Sequence, residues 1–214
     1  LLACTDVNAK SVGITALMGA AMAGQTEIVR LLIEKGADVN IRSNNGHTAL
    51  MYAAEDGNTE IAQLLIQKGA NVNAKNNFGG TALSMAVVNG HTEMVRLLLE
   101  NGVDINTYGS AALISAASKG YTEIVQLLIE KGADPWMQDD NGDTPIDSHF
   151  SSISLGVLEY IFKNCGIRKQ VNFPDNLITY INENMVFHQY DNILDRIKLC
   201  FYYGPVCYDD WLCL

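Results

Sequence analysis

A 33-residue period constrains this chain more than any other feature of it. Four blocks repeat: TALMGAAMAGQTEIVRLLIEKGADVN, TALMYAAEDGNTEIAQLLIQKGANVN, TALSMAVVNGHTEMVRLLLENGVDIN and AALISAASKGYTEIVQLLIEKGAD. Gly13, Gly46, Gly79, Gly109 and Gly142 hold the register, spaced 33, 33, 30 and 33 residues apart. A unit this short cannot bury an apolar face alone, so such units stack and share one continuous core. The expected fold is therefore an all-α solenoid. A solenoid offers a long surface and few deep pockets, which favours binding over catalysis.

The unit from Asn8 to Asn40 shows how one block is built. Thr15-Ala16-Leu17 opens a short helix that runs through Ala20-Ala21 and stops at Gly24. Its alanines give a flat face that lets neighbouring helices approach closely. Thr26-Glu27 is expected to open a second helix, the hydroxyl capping free amides and the acid sitting at the positive end of the dipole. Ile28, Val29, Leu31, Leu32 and Ile33 form an apolar stripe, with Arg30, Glu34 and Lys35 turned to water. Gly36 stops this helix, and Asp38-Val39-Asn40 leads through an extended turn to Gly46.

These blocks closely resemble the ankyrin repeat. The resemblance implies helix-turn-helix units with short β-hairpin fingers: four repeats over 8–137, a degenerate fifth, capping repeat over 138–166, and so about five stacked units. Residues 1–7 are then a truncated N-terminal remnant. The chain departs from the family pattern in its opening tetrapeptide. Ala16, Ala49, Ala82 and Ala112 stand where a Pro is usual, and Met18, Met51, Ser84 and Ile114 where a His ties neighbouring loops together. Weaker hydrogen bonding between repeats is expected from that loss. Only two residues separate Asn106 from Gly109, against five between Asn40 and Gly46, which predicts a truncated finger there. The fifth unit keeps its start, Asp140-Asn141-Gly142-Asp143-Thr144-Pro145, but replaces its middle with Ser148–Ser154 before a stripe of Val157, Leu158, Ile161 and Phe162.

In the tail, 167–214, two short helices are expected. One follows Pro174-Asp175 with Leu177, Ile178 and Ile181, and the other follows Asp191 with Ile193, Leu194, Ile197 and Phe201. One reading makes the tail a cap over the last repeat. Another makes it a docking site for an enzyme such as a ubiquitin ligase, since Leu155, Leu158, Ile167, Arg168, Pro174, Leu177 and Tyr180 loosely resemble a SOCS box. At the other end, Leu1-Leu2-Ala3-Cys4 resembles a lipobox, which would make Cys4 a lipid anchor and the chain a bacterial envelope ankyrin lipoprotein. The competing reading is the end of an earlier repeat, because Asp6-Val7-Asn8 matches Asp38-Val39-Asn40.

The five cysteines, Cys4, Cys165, Cys200, Cys207 and Cys213, are odd in number and form no Cys-x-x-Cys pair. A disulfide framework is not expected, and a cytoplasmic setting is favoured unless Cys4 is lipidated. His188 with Cys200, Cys207 and Cys213 is spaced too widely for a zinc knuckle, so no metal or other cofactor is expected. A formal charge of −10 disfavours nucleic acid, whose phosphates need clustered Lys and Arg. No apolar run approaches the ~18 residues of a membrane span.

Catalysis finds no support in the sequence either. The glycines mark turns and helix stops rather than a phosphate loop. His47, His91, His149 and His188 lie in separate units without a recurring carboxylate or thiol beside them, and His47 and His91 read as solvated positions. Glu55-Asp56 and Asp139-Asp140 read as solvated faces. The remaining expectation is a non-catalytic, monomeric module that binds a partner protein.

The resemblance also says where: a groove formed by the fingertips and the inner faces of the first helices. The matching positions are Val12, Ile14 and Met22 in the first unit, and Asn45, His47, Tyr52, Glu55 and Asp56 in the second. The third supplies Phe78, Val88 and Asn89, and the fourth Tyr108, Ser110 and Lys119. Stacking leaves these slots free to vary, and apolar side chains rimmed by polar ones are what interface centres use.

Overall fold

A computed structural model describes residues 6–136 and Tyr160. The expected fifth repeat (apart from Tyr160), the tail and Cys4 lie outside the described residues. The described chain is a row of four helix pairs: α1 (Ala16–Met22) with α2 (Thr26–Glu34), α3 (Ala49–Glu55) with α4 (Thr59–Gln67), α5 (Ala82–Val88) with α6 (Thr92–Glu100), and α7 (Ile105–Ser118) with α8 (Thr122–Glu130). A short antiparallel hairpin, β1 (Lys10–Ser11) and β2 (Ile14–Thr15), precedes them, with Lys10 opposite Thr15 and Ser11 opposite Ile14. The odd-numbered helices stack on one another in an inner layer and the even-numbered ones in an outer layer.

The first three inner helices start where a threonine can cap them. The hydroxyls of Thr15, Thr48 and Thr81 accept from the backbone N–H groups of Met18, Met51 and Ser84 at 3.3, 3.3 and 3.2 Å. Ser84 returns the bond, its Oγ accepting from Thr81 N at 2.8 Å. This is the reciprocal arrangement that satisfies two free amides at once. The outer helices differ from expectation. Thr26 lies within the first turn of α2, after Gln25 at the cap position, and no side chain caps that end. The cap positions of α4 and α6 point backwards along the solenoid instead. Asn58 Nδ2 donates to Ala21 O at 3.0 Å, and His91 Nε2 lies 2.9 Å from Glu55 O. His91 is thus a tie between units rather than the solvated residue expected.

Packing explains why the stripe of the first outer helix is only partly covered. Ile61, Met94 and Ile124 are at most 1% exposed, whereas Ile28, in the same slot of the first unit, is 45% exposed. Each later outer helix packs on the one before it, whereas among the described residues no outer helix precedes α2. Along the inner layer Leu17, Leu50, Leu83 and Leu113 are all buried, so one core runs through all four pairs.

Hydrogen bonding between units does not depend on the missing histidine. Beside the Asn58 and His91 ties, an asparagine ladder carries it. Asn8, Asn40 and Asn73 each accept through Oδ1 from the backbone N–H of Asp38, Asn71 and Asp104, at 2.8, 2.8 and 2.9 Å. Each also donates through Nδ2 to a glycine carbonyl of the next unit: Gly36 O at 3.4 Å, Gly69 O at 3.0 Å and Gly102 O at 3.1 Å. One side chain thereby satisfies a donor and an acceptor on each following helix end.

The shortened finger before Gly109 is a larger change than truncation. No finger forms there at all. Asp104 caps the chain, its Oδ1 accepting from Asn106 N at 3.1 Å and Thr107 N at 3.2 Å, and α7 starts at Ile105. Two residues between Asn106 and Gly109 are too few to run out and return, and the stretch instead joins the helix, lengthening it by about two turns. At 14 residues α7 is twice the length of the inner helices before it. Gly109 changes role accordingly. It is helical and buried, and a Cβ there would sit 3.0 Å from the Ile105 side chain and 3.1 Å from the Ala133 methyl.

Candidate interaction surface

The fingers are built locally before they meet one another. In the second, Ser43 N donates to His47 O at 2.8 Å, and Ser43 Oγ accepts from His47 N at 3.0 Å. In the third, buried Asn76 does more. Its Oδ1 accepts from both Phe78 N (2.9 Å) and Gly80 N (2.7 Å), holding the tip closed. With Oδ1 fixed as the acceptor, Asn76 Nδ2 is the donor to His47 Nε2, 3.3 Å away. The proton of neutral His47 then sits on Nδ1 by hydrogen-bond logic. That atom is buried with no hydrogen-bond partner. His47 also stacks on Tyr52, ring centroids 5.3 Å apart and planes inclined by 25°. His47 and Tyr52 are therefore half-buried supports of the surface, and His47 is not the solvated residue expected.

The tips carry the apolar exposure. Val12 is fully exposed and has a φ of 53°, left-handed backbone that a β-branched residue rarely adopts. Phe78, two units along, is 81% exposed. Asn45 occupies the equivalent tip between them and is also exposed. Ile14, at the finger base, is half-buried against the core.

At the C-terminal ends of the inner helices, Met22 and Val88 share one slot and are exposed. The same slot in the second unit holds Glu55, which with Asp56 places exposed acids between two apolar residues. Asn89 and Lys119 are exposed on the following positions, and Asn89 Nδ2 donates to Met85 O at 3.0 Å. The proposed surface residues thus fall into two rows, fingertips and inner-helix ends.

Tyr108 leaves the tip row, because the finger that would have carried it became helix. It is half-buried in the first turn of α7, packed on the core, with Lys75 Nζ 5.0 Å from its ring centroid. Ser110, two residues further along the helix, is half-buried as well. Lys75 and Asn76 were not singled out from the sequence. Nothing marks them there, since their slots hold Arg42 and Ser43 in the preceding finger and differ again in Ala9 and Lys10.

The electrostatics of this end centre on Asp104. Hydrogen bonds from the Thr107 hydroxyl (2.6 Å to Oδ2) and from the Thr107 backbone hold its carboxyl below the usual carboxylate range. The Asn106 N–H and nearby Lys75 add to this, and partial desolvation opposes it. Among the described residues no group of three or more His, Cys, Asp or Glu side chains is arranged to hold a metal ion. No described helix is long and apolar enough to cross a membrane.

Comparison with known families agrees with this architecture. No curated protein matches the chain. A family model of ankyrin repeats in three copies matches residues 1–76 and 69–139, well over half of the sequence. With its helix pairs, fingers and asparagine ladder in that register, the chain belongs to the ankyrin repeat family, whose repeats serve as protein-protein interaction modules.

Proposed function

We propose that this chain is a non-catalytic binding module that holds a partner protein across its fingertips and inner-helix ends. One observation carries the reading. Of the six large apolar residues that stand exposed among the described residues, four (Val12, Met22, Phe78 and Val88) lie in those two rows. The other two, Ile28 and Leu31, lie on the first outer helix. Exposed apolar side chains flanked by polar ones such as Asn45, Glu55, Asp56 and Asn89 match the composition of an interface centre. The scaffold beneath them is fixed by core packing and the asparagine ladder, so little ordering entropy is lost when a partner docks.

Capture from the native host with paired variants tests this. Met22→Ser with Phe78→Ser and Val88→Ser is expected to lose the partner, each position contributing on the order of 1–2 kcal/mol if it is an interface anchor. Ile28→Ser with Leu31→Ser should retain it. Circular dichroism establishes that both variants remain folded. Unchanged capture by the first variant, or loss confined to the second, would place the docking face elsewhere.

A further inference from the structure

The fingers of this chain are joined edge to edge, and the joining stops one place early. Asn44 N donates to Gly13 O at 3.1 Å, and the Asn44 side chain lies against Gly13 so closely that any Cβ there would collide with it. The next junction also seats an asparagine, with its acceptors shifted back along the tip and a side-chain amide bond added. Asn77 N donates to Asn45 O at 3.0 Å, Asn77 Nδ2 donates to Asn44 O at 3.0 Å, and Asn77 covers Gly46. The third tip offers the same seat. Gly79 has the same left-handed backbone, with φ of 82° against 86° at Gly13 and 79° at Gly46. Among the described residues nothing covers it: a Cβ on Gly79 meets none of their atoms within 4 Å. Among the described residues no donor reaches the carbonyl oxygens of Asn77, Phe78 or Gly79. The residues that would have supplied the next asparagine are inside α7.

An open finger edge with unpaired carbonyls is a template for an incoming backbone. Two of its features narrow what fits. Both residues seated on the earlier fingers are asparagines, the residue type whose backbone N–H and side-chain amide can donate together and which tolerates tight turns. Beside the seat, Phe78 offers a bare ring for an apolar contact, and Lys75 spans from the finger base to Tyr108.

Building on the binding-module reading above, we propose that the bare edge of the third finger seats an asparagine-bearing loop of the partner protein. The loop is held by the two amide hydrogen bonds that seat Asn77 on the second finger. It continues the row of fingers in place of the finger this chain lacks.

The probe is a cyclised peptide spanning residues 74–81 of this chain, which carries the Asn77 turn, titrated into the full ¹⁵N-labelled protein. Binding at about millimolar affinity is expected, with amide shifts centred on Asn77, Phe78 and Gly79. The same peptide with Asn77→Ala should bind about tenfold more weakly, having lost the side-chain amide. In the protein, Gly79→Asn tolerates the left-handed backbone and projects a side chain over the bare face, and it should bind the peptide at least about tenfold more weakly. Absence of shifts at the third finger, equal affinity for the two peptides, or full binding by a folded Gly79→Asn protein would overturn the proposal. The variant carrying Met22→Ser and Val88→Ser leaves the third finger intact. It should bind the peptide normally, so failure of the wider docking surface and failure of this seat are told apart.

Discussion

The junctions among the first three helix pairs and the junction between the third and fourth solve one stacking problem in two ways. All share the buried inner-layer leucines and the asparagine ladder, which runs on through Asn73 to Asp104 and Gly102. They differ in what stands between the helix pairs. At the first two, a finger projects and bonds to its neighbour through Asn44 or Asn77. At the third, the same stretch of chain is coiled into α7 behind the Asp104 cap. Stacking in a solenoid is a sum of nearest-neighbour terms, so one junction can lose its finger without loosening the core. The finger is separable from the stack, and its surface can change while the fold persists.

Leucine truncation puts the largest strain on this comparison. Leu50→Ala and Leu113→Ala each remove a fully buried side chain and are expected to cost about 2–5 kcal/mol in denaturant unfolding. Near-equal losses are expected if the fingerless junction is packed like the others; a much smaller loss at Leu113 would break the equivalence.

Alanine at the tip glycines comes next. Gly79→Ala should cost about 1–2 kcal/mol, the strain of left-handed backbone in open space. Gly46→Ala should cost more, because its Cβ also meets Asn77 N at 2.8 Å. If thermal shifts ranked the two the other way, the covering of Gly46 by the third finger would be wrong.

The ladder gives a smaller and more even effect. Asn40→Ala and Asn73→Ala each delete one accepted and one donated bond, worth roughly 1–2 kcal/mol together. Equal values on either side of the missing finger would show that finger and ladder are independent; a loss at Asn73 far above that at Asn40 would couple them.

The smallest effect concerns the cap that replaces the finger. Asp104 has a lowered folded-state pKa, so its contribution to stability is complete above the ordinary carboxylate range and is lost as pH falls through the lowered value. Asp104→Asn should remove that part of the acid destabilisation and lower the melting temperature slightly at neutral pH. Identical pH profiles for the variant and the parent would rule out the charged cap as its cause.

Much of the architecture was legible because its determinants are local. Thr15, Thr48 and Thr81 cap helices using bonds within three residues, and the glycine spacing announces each turn. The asparagines of the ladder recur in register too, but their bonding is not legible in the sequence, because their partners lie about 30 residues away. Less could be read about the surface. Thr26 resembles a cap residue in sequence, yet the backbone enters α2 one residue earlier. His47 and His91 looked solvated, and each is held by a residue of another unit, Asn76 or Glu55. Tyr108 counts as a fingertip only if the finger exists.

The sequence alone determined the repeat, the helices, their stops and the family, because each rests on short-range hydrogen bonds and periodic burial that one unit encodes and the next copies. Tertiary structure alone decided which surfaces stay bare. Ile28 and Ile61 occupy the same slot, as do Gly46 and Gly79, and one member of each pair is exposed. Their residue types do not distinguish them. Exposure is set by whether a neighbouring unit arrives to cover the site, and that depends on the whole stack rather than on the residue.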